Sequence, residues 1–300
     1  MKLLGLFFAI CVVAWTDDDE RLRATLQAAG FTGTVESQLE KRLGRPVDPV
    51  LSDLGRMLFF DKIMGLHSDN SCAGCHSPTA AFGDTQSIAI GVQNDNFVGP
   101  HRFGPRNQRR TPGLVNVAFY PKLMWNGRFS AASGDPFDNS QGFLFPAPEG
   151  ATRFPPNDPV IKHLLAAQGH IPPTELTEAA GFTGTRGTMP PDFDLFDDGL
   201  GTILPAPDDT GTRNEPIRQA VLQRLNESAA YRELFGASFP DVAKGGAIDF
   251  AMVGRAIAEF EFTLVFANAP VDQFARGDSG AMTAAQKRGA LLFFGKAQCV

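Results

Sequence analysis

Apolar residues recur three or four apart along much of the chain, which predicts helices. Leu22, Leu26 and Ala29, followed by Leu39 and Leu43, give a helical stretch over 18–45. Leu51, Leu54, Met57 and Leu58 predict a short helix over 49–60, and Asp69-Asn70-Ser71 is a cap for a helix opening at Cys72. Further helices are expected over 157–168, over 215–235 on Ile217, Val221 and Leu225, and over 283–295 with Thr283 as cap. The clearest lies over 248–267, where Phe250, Val253, Ile257, Phe260 and Leu264 form one stripe and Pro270 follows its end. No alternating strand pattern of any length is visible. Between the helices, 79–156 and 181–214 are rich in Gly, Pro, Asn and Asp and read as long loops. The fold class is therefore mainly α, with long Gly/Pro-rich loops. Asp192, Asp194, Asp197 and Asp198 do not follow the EF-hand spacing and read as solvated acids.

With 300 residues, the chain is long enough for two domains. A net charge of -6, with basic residues gathered only at Arg106–Arg110, argues against a nucleic-acid partner. Lys2 followed by apolar Leu3–Trp15 and then acidic Asp17–Glu20 reads as an export signal over 1–16, too short to span a bilayer. Among four cysteines, Cys11 falls in that segment, and Cys72, Cys75 and Cys299 do not suggest a disulfide framework.

The chemistry sits at Cys72-Ala73-Gly74-Cys75-His76. Two thiols one helical turn apart can add to the two vinyl groups on one porphyrin edge, and the following imidazole can take the iron. A zinc site would need a second ligand pair, which is absent, and a thioredoxin-like pair wants a βαβ setting. The motif therefore predicts haem c, with Cys72 and Cys75 as attachment points and His76 as proximal ligand. Cys299-Val300, after an amphipathic helix, reads as the opening of a second such motif cut short.

Several phrases together resemble the bacterial di-haem cytochrome c peroxidase and MauG family. They are Leu58-Phe59-Phe60-Asp61 ahead of the motif, Gly104-Pro105-Arg106-Asn107, Arg110-Thr111-Pro112, and Trp125-Asn126-Gly127-Arg128, where the family has Trp-Asp-Gly-Arg. Ala256–Phe262, Asp272-Gln273-Phe274 and Lys287–Phe294 complete the set. The resemblance implies two cytochrome c-like haem domains with calcium between them. Here they would be 17–214, where peroxide reacts, and 215–300, the start of the electron-accepting second domain. It implies His101 as a distal iron ligand, Glu175 in Pro173-Thr174-Glu175 with Gln168 upstream as the acid–base group, and Glu149 as its reserve. It further implies Trp125 as an electron route, Asn107 as a calcium ligand, and Arg128 and Arg106 as partners of haem propionates. His170 is a further candidate for the distal pocket, while His67 and His163 match no role. The implied activity is periplasmic reduction of hydrogen peroxide to water, with electrons from a small cytochrome c or copper protein; a homodimer is compatible with it. The alternatives are MauG-type oxidation of a partner protein and a non-catalytic electron carrier.

Overall fold

The computed structural model describes residues 18–92, 104–146, 149, 154–187, 191–197, 199 and 205–299, with the backbone alone at 191–193. The described chain forms two compact units, one built from 45–265 and the other from the N-terminal stretch to 44 with 266 onward. The expected boundary after 214 does not coincide with this division: helices between 214 and 262 share a core with Leu51, Leu54 and Leu58.

In the larger unit, α3 (Pro49–Phe60) begins at Asp48, whose carboxylate accepts from the Val50 and Leu51 amides, with Pro49 in the first turn. It crosses α9 (Phe250–Phe262) at Gly55, where any Cβ would run into the Ala256 carbonyl. Only glycine permits this approach. Leu51, Leu54 and Leu58 of α3 and Val253, Ala256 and Ile257 of α9 share one core. Val221 and Leu225 of α6 (Asn214–Glu227) and Phe235 of α7 (Ala229–Ser238) close it. α8 (Pro240–Ala243) follows directly. Buried Glu259 of α9 is satisfied by both guanidinium nitrogens of Arg45, each at 2.6 Å, and by the Asp48 amide at 2.6 Å.

The helix expected over 157–168 forms only as α5 (Leu164–Gln168). Asn157 adopts φ 58°, and Asp158 accepts from the Val160 and Ile161 amides, so this stretch is a turn. The His163 ring then caps α5 by accepting from the Leu165 amide. The loop 79–156 also holds a small antiparallel sheet, β1 (Lys122–Leu123), β2 (Phe129–Ala131) and β3 (Phe143–Leu144). Strands of two or three residues are too short to show alternation in the sequence.

In the smaller unit, the stretch 18–45 is two helices rather than one. α1 (18–28) and α2 (Val35–Leu43) are separated at Gly30 and Gly33, both at positive φ, and Gly44 ends α2 in the left-handed region. Leu22 and Leu26 pack on Phe274 of α10 (Pro270–Ala275) and on Met282. Thr283 and Gln286 form a capping box at α11 (Ala284–Leu291). No helix among the described residues is long and apolar enough to cross a membrane.

Candidate haem-attachment site

The motif forms a single helical turn, α4 (Cys72–Cys75), entered from Ser71 in an extended conformation. Ser71 makes no capping hydrogen bond; the neighbouring Asn70 amide instead donates to the Glu178 carbonyl at 3.0 Å. Ala73 and Gly74 are buried, and Cys72, Cys75 and His76 are half-buried as whole residues. Neither thiol is in a disulfide. Burial, then the charge of Glu261, pushes Cys72 up to about 12, so the group held there is a neutral thiol. Cys75 Sγ donates to the Ile90 carbonyl at 3.3 Å.

His76 Nδ1 lies 2.8 Å from the Phe82 carbonyl. A carbonyl can only accept, so Nδ1 carries the proton and Nε2 keeps its lone pair. Ala81 and Phe82 both adopt φ 54°, an uncommon backbone for such residues, and this aims that carbonyl at the ring. Burial holds the imidazole below its ordinary pKa, in the neutral form that ligates metals. The Phe59 ring lies 6.1 Å from His76 and belongs to a cluster with Phe60, Phe82 and Phe260. Two thiols outside any disulfide, an imidazole with Nδ1 held by the Phe82 carbonyl and a neighbouring cluster of Phe rings fit haem c.

Two carboxylates follow one another on the segment beyond α5. Glu175 ends the 3-10 turn Pro172–Thr174 and lies 3.4 Å from Arg128 Nη2, in a side chain 36% exposed. Burial raises its pKa, Arg128 opposes this, and Glu149 reinforces it. Glu178 stands one π turn further on, in Leu176–Ala180. Burial, and next the charge of Glu175, push its carboxyl up to about 7, against the Asn107 amide that donates to Oε1 at 3.3 Å. Asn70, whose Nδ2 lies 4.0 Å from Cys75 Sγ and donates to the Glu178 carbonyl, places Glu178 beside the motif. Part of the residue remains open to solvent. Glu178, three residues beyond Glu175 in the same phrase, was not among the expected residues; burial and the partners the fold supplies distinguish the two.

The structure brings Asn107 and Arg128 to these acids, but not every expected residue. Gln168 closes α5, and its side chain makes no hydrogen bond to either acid. Trp125 sits on the β1–β2 turn, 69% exposed, with Nε1 donating to the Arg110 carbonyl at 3.0 Å. Arg106 is exposed. Glu149 is occupied by buried Arg218, at 2.8 and 3.1 Å, and by Asn214 at 2.9 Å. His170 Nδ1 donates to the Ala166 carbonyl at 3.0 Å, and its ring packs between Phe154 and Phe250, a core histidine rather than a pocket residue. His163 is likewise structural, and His67 bonds Thr183 at 2.8 Å. His101 lies outside the described residues. Cys299 is exposed and free. Asn107 Oδ1 accepts from the Gln108 amide, and the described residues contain no cluster of three or more His, Cys, Asp or Glu suited to a metal ion.

The family model of the di-haem cytochrome c peroxidases matches residues 49–280. The chain belongs to that family. Its relatives include the methylamine utilization protein MauG of Methylorubrum extorquens, 27% identical over 85% of this chain and 49% of MauG. The cytochrome-c peroxidase IdrP2 of Denitromonas iodatirespirans is 25% identical over 99% of this chain and 55% of its own length. The cytochrome c551 peroxidase of Pseudomonas aeruginosa is 22% identical over 89% and 54%. The chain thus spans about half the length of the curated relatives it matches. Among solved structures, a MauG-like protein associated with microbial copper homeostasis shares the fold, with TM-score 0.52 and 21% identity, over 86% of this chain and 52% of that one. Membership of a di-haem peroxidase family makes haem c the expected group at the Cys72–His76 turn.

Proposed function

We propose that this chain carries the peroxide-reacting haem of a di-haem peroxidase, with Cys72 and Cys75 as its attachment points, His76 as its iron ligand and Glu178 as its proton relay. The observation that carries this is that Asn70, whose Nδ2 lies 4.0 Å from Cys75 Sγ, holds the Glu178 backbone beside the motif at 3.0 Å, with the Glu178 carboxyl raised to about 7 by burial and the charge of Glu175. An acid–base group works best with a pKa near the working pH. Glu178 takes the proton from the near oxygen of hydrogen peroxide and returns it to the far one, so that two electrons and two further protons yield two waters. Bound at this turn, haem supplies the redox chemistry. Asn107 and Arg128 hold the acid pair: Asn107 donates to Glu178, and Arg128 balances the charge of Glu175. Glu175, the sequence candidate, then tunes the charge of Glu178 rather than moving the proton.

The same reading keeps Trp125, exposed beside Arg110, as an electron route to this haem from the second domain, which takes electrons from a small cytochrome or copper protein. Asn107 retains a side-chain oxygen able to join a calcium site, and the segment 1–16 directs the protein to the periplasm. A second reading, oxidation of a partner protein, draws on the likeness to MauG.

The test uses the full-length protein made in a host that matures c-type cytochromes. The expected product is red, with thiols 72 and 75 resistant to alkylation and the iron reacting with peroxide in stopped flow. Glu178→Gln should slow that reaction by about 10²–10⁴-fold, the usual weight of acid–base catalysis, with the ferric spectrum kept. Colourless protein with both thiols alkylated would end the reading. Turnover of peroxide with a reduced small cytochrome separates the peroxidase from the partner-oxidising alternative, which predicts little.

A further inference from the structure

The segment bearing Glu178 is wound more widely than an α-helix. The Ala180 and Gly181 amides reach back five residues to the Glu175 and Leu176 carbonyls, at 3.0 Å each. Single π turns of this kind gather at functional sites. The next carbonyls, of Thr177, Glu178 and Ala179, are each taken by a different part of the chain. The Val92 amide donates to Thr177 at 3.4 Å, and the Leu66 amide donates to Ala179 at 2.9 Å. Both are backbone bonds. Only the middle one comes from a side chain, Asn70 Nδ2, at 3.0 Å from the Glu178 carbonyl. On the other flank stands Gly91, where any Cβ would run into the Thr177 and Glu178 carbonyls.

Asn70 is 7% exposed, and its Nδ2 also lies 4.0 Å from Cys75 Sγ. Its Oδ1 is buried and accepts no hydrogen bond. An orphaned oxygen is a desolvation cost that a leucine of similar volume would avoid. What the amide contributes is therefore its N–H group, directed at the Glu178 backbone from beside the attachment thiol.

We propose that Asn70 is a positioning residue, fixing where the Glu178 carboxylate stands relative to the Cys72–His76 turn. It acts through the backbone: one N–H holds the residue that bears the acid, while the same side chain rests on Cys75. This inference depends on the assignment of Glu178 as the proton relay. Small displacements of such a group weigh heavily on rate, because the relay needs hydrogen-bond reach at both oxygens of peroxide.

The test is a double-mutant cycle in the full-length holoprotein, joined to hydrogen exchange. Asn70→Leu should slow the reaction with peroxide by about tenfold in the native background and by less than about twofold on Glu178→Gln, since the two act as one unit. Amide exchange over 176–181 should quicken by at least about tenfold, while exchange over α9 stays unchanged. If Leu prevents folding, Asn70→Asp keeps the shape and removes the donor. An equal rate loss in both backgrounds, or unaltered exchange over 176–181, overturns the proposal. If Glu178→Gln alone reacts at the native rate, the relay assignment fails and the positioning role falls with it. That failure shows itself without any change at residue 70.

Discussion

Arg218 is among the most deeply buried charges in the larger unit, and replacing it tests how the acid-bearing segment is held. Its side chain is 1% exposed and that of Glu149 is 4% exposed. It donates twice to Glu149 at 2.8 and 3.1 Å, to Glu215 at 3.0 Å, and to the His170 carbonyl at 3.1 Å. Arg218→Met removes the Arg218 charge from the buried Glu149 carboxylate, for which about 3–5 kcal/mol is expected. That is a large share of a domain's typical net stability of about 5–15 kcal/mol. Replacing the pair together is milder, because a buried ion pair gains little over apolar side chains of similar volume. Arg218→Met combined with Glu149→Leu should therefore cost less than Arg218→Met alone, despite losing the Arg218 bond to the His170 carbonyl. Urea unfolding of the two singles and the double, compared at equal m-value, gives the coupling energy, expected to be about 2 kcal/mol or more. Strictly additive costs, or singles under about 1 kcal/mol, would refute the argument.

Three further outcomes are expected. Glu175→Gln should alter the peroxide rate far less than Glu178→Gln, because a side chain 36% exposed and facing Arg128 only tunes its neighbour's charge; equal losses in stopped flow would return the relay to Glu175. Gly55→Ala should destabilise by at least about 1–3 kcal/mol, since the new methyl must part α3 from the Ala256 carbonyl, and thermal melting with no loss would contradict the helix crossing. Burial raises Glu178 to about 7 and Glu261 to about 8, from ordinary values of 4.5, so the folded chain retains protons that the unfolded chain has released. Their stabilising contribution is complete below the unfolded value and is lost as pH rises through the folded values. Urea midpoints should thus fall between about pH 5 and 8, with Glu261→Gln flattening the upper part of the slope; an unchanged slope in that variant would contradict the assignment.

The helices with strong apolar stripes were legible because a single period decides them. Pro49–Phe60 is found at its expected bounds, and the stripe on Phe250, Val253, Ile257 and Phe260 faces the core along α9. What was not legible depended on partners far away in the sequence. Leu22 and Leu26 look like the start of one long helix until Phe274 and Met282 complete their core, after which Gly30 and Gly33 become a break. The three short strands carry no period and arise from pairing alone, Leu123 with Phe129 and Ala131 with Phe143.

The attachment turn was legible for a different reason: its chemistry is local. Thiol, thiol and imidazole lie within five consecutive residues, and the one non-local element it needs is the Phe82 carbonyl, six residues on. A proton relay has no such signature. Glu149, Glu175 and Glu178 are alike as letters, and they differ in what the fold sets against them. Arg218 neutralises the first, Arg128 and solvent moderate the second, and the third is left facing Asn107, a neutral amide. Burial, and next the charge of Glu175, keep the proton on Glu178 to higher pH against the opposing pull of Asn107 and Arg128. Its side-chain partners come from two separated stretches, Asn70 before the motif and Asn107 well after it, so its identity is a property of the assembled fold.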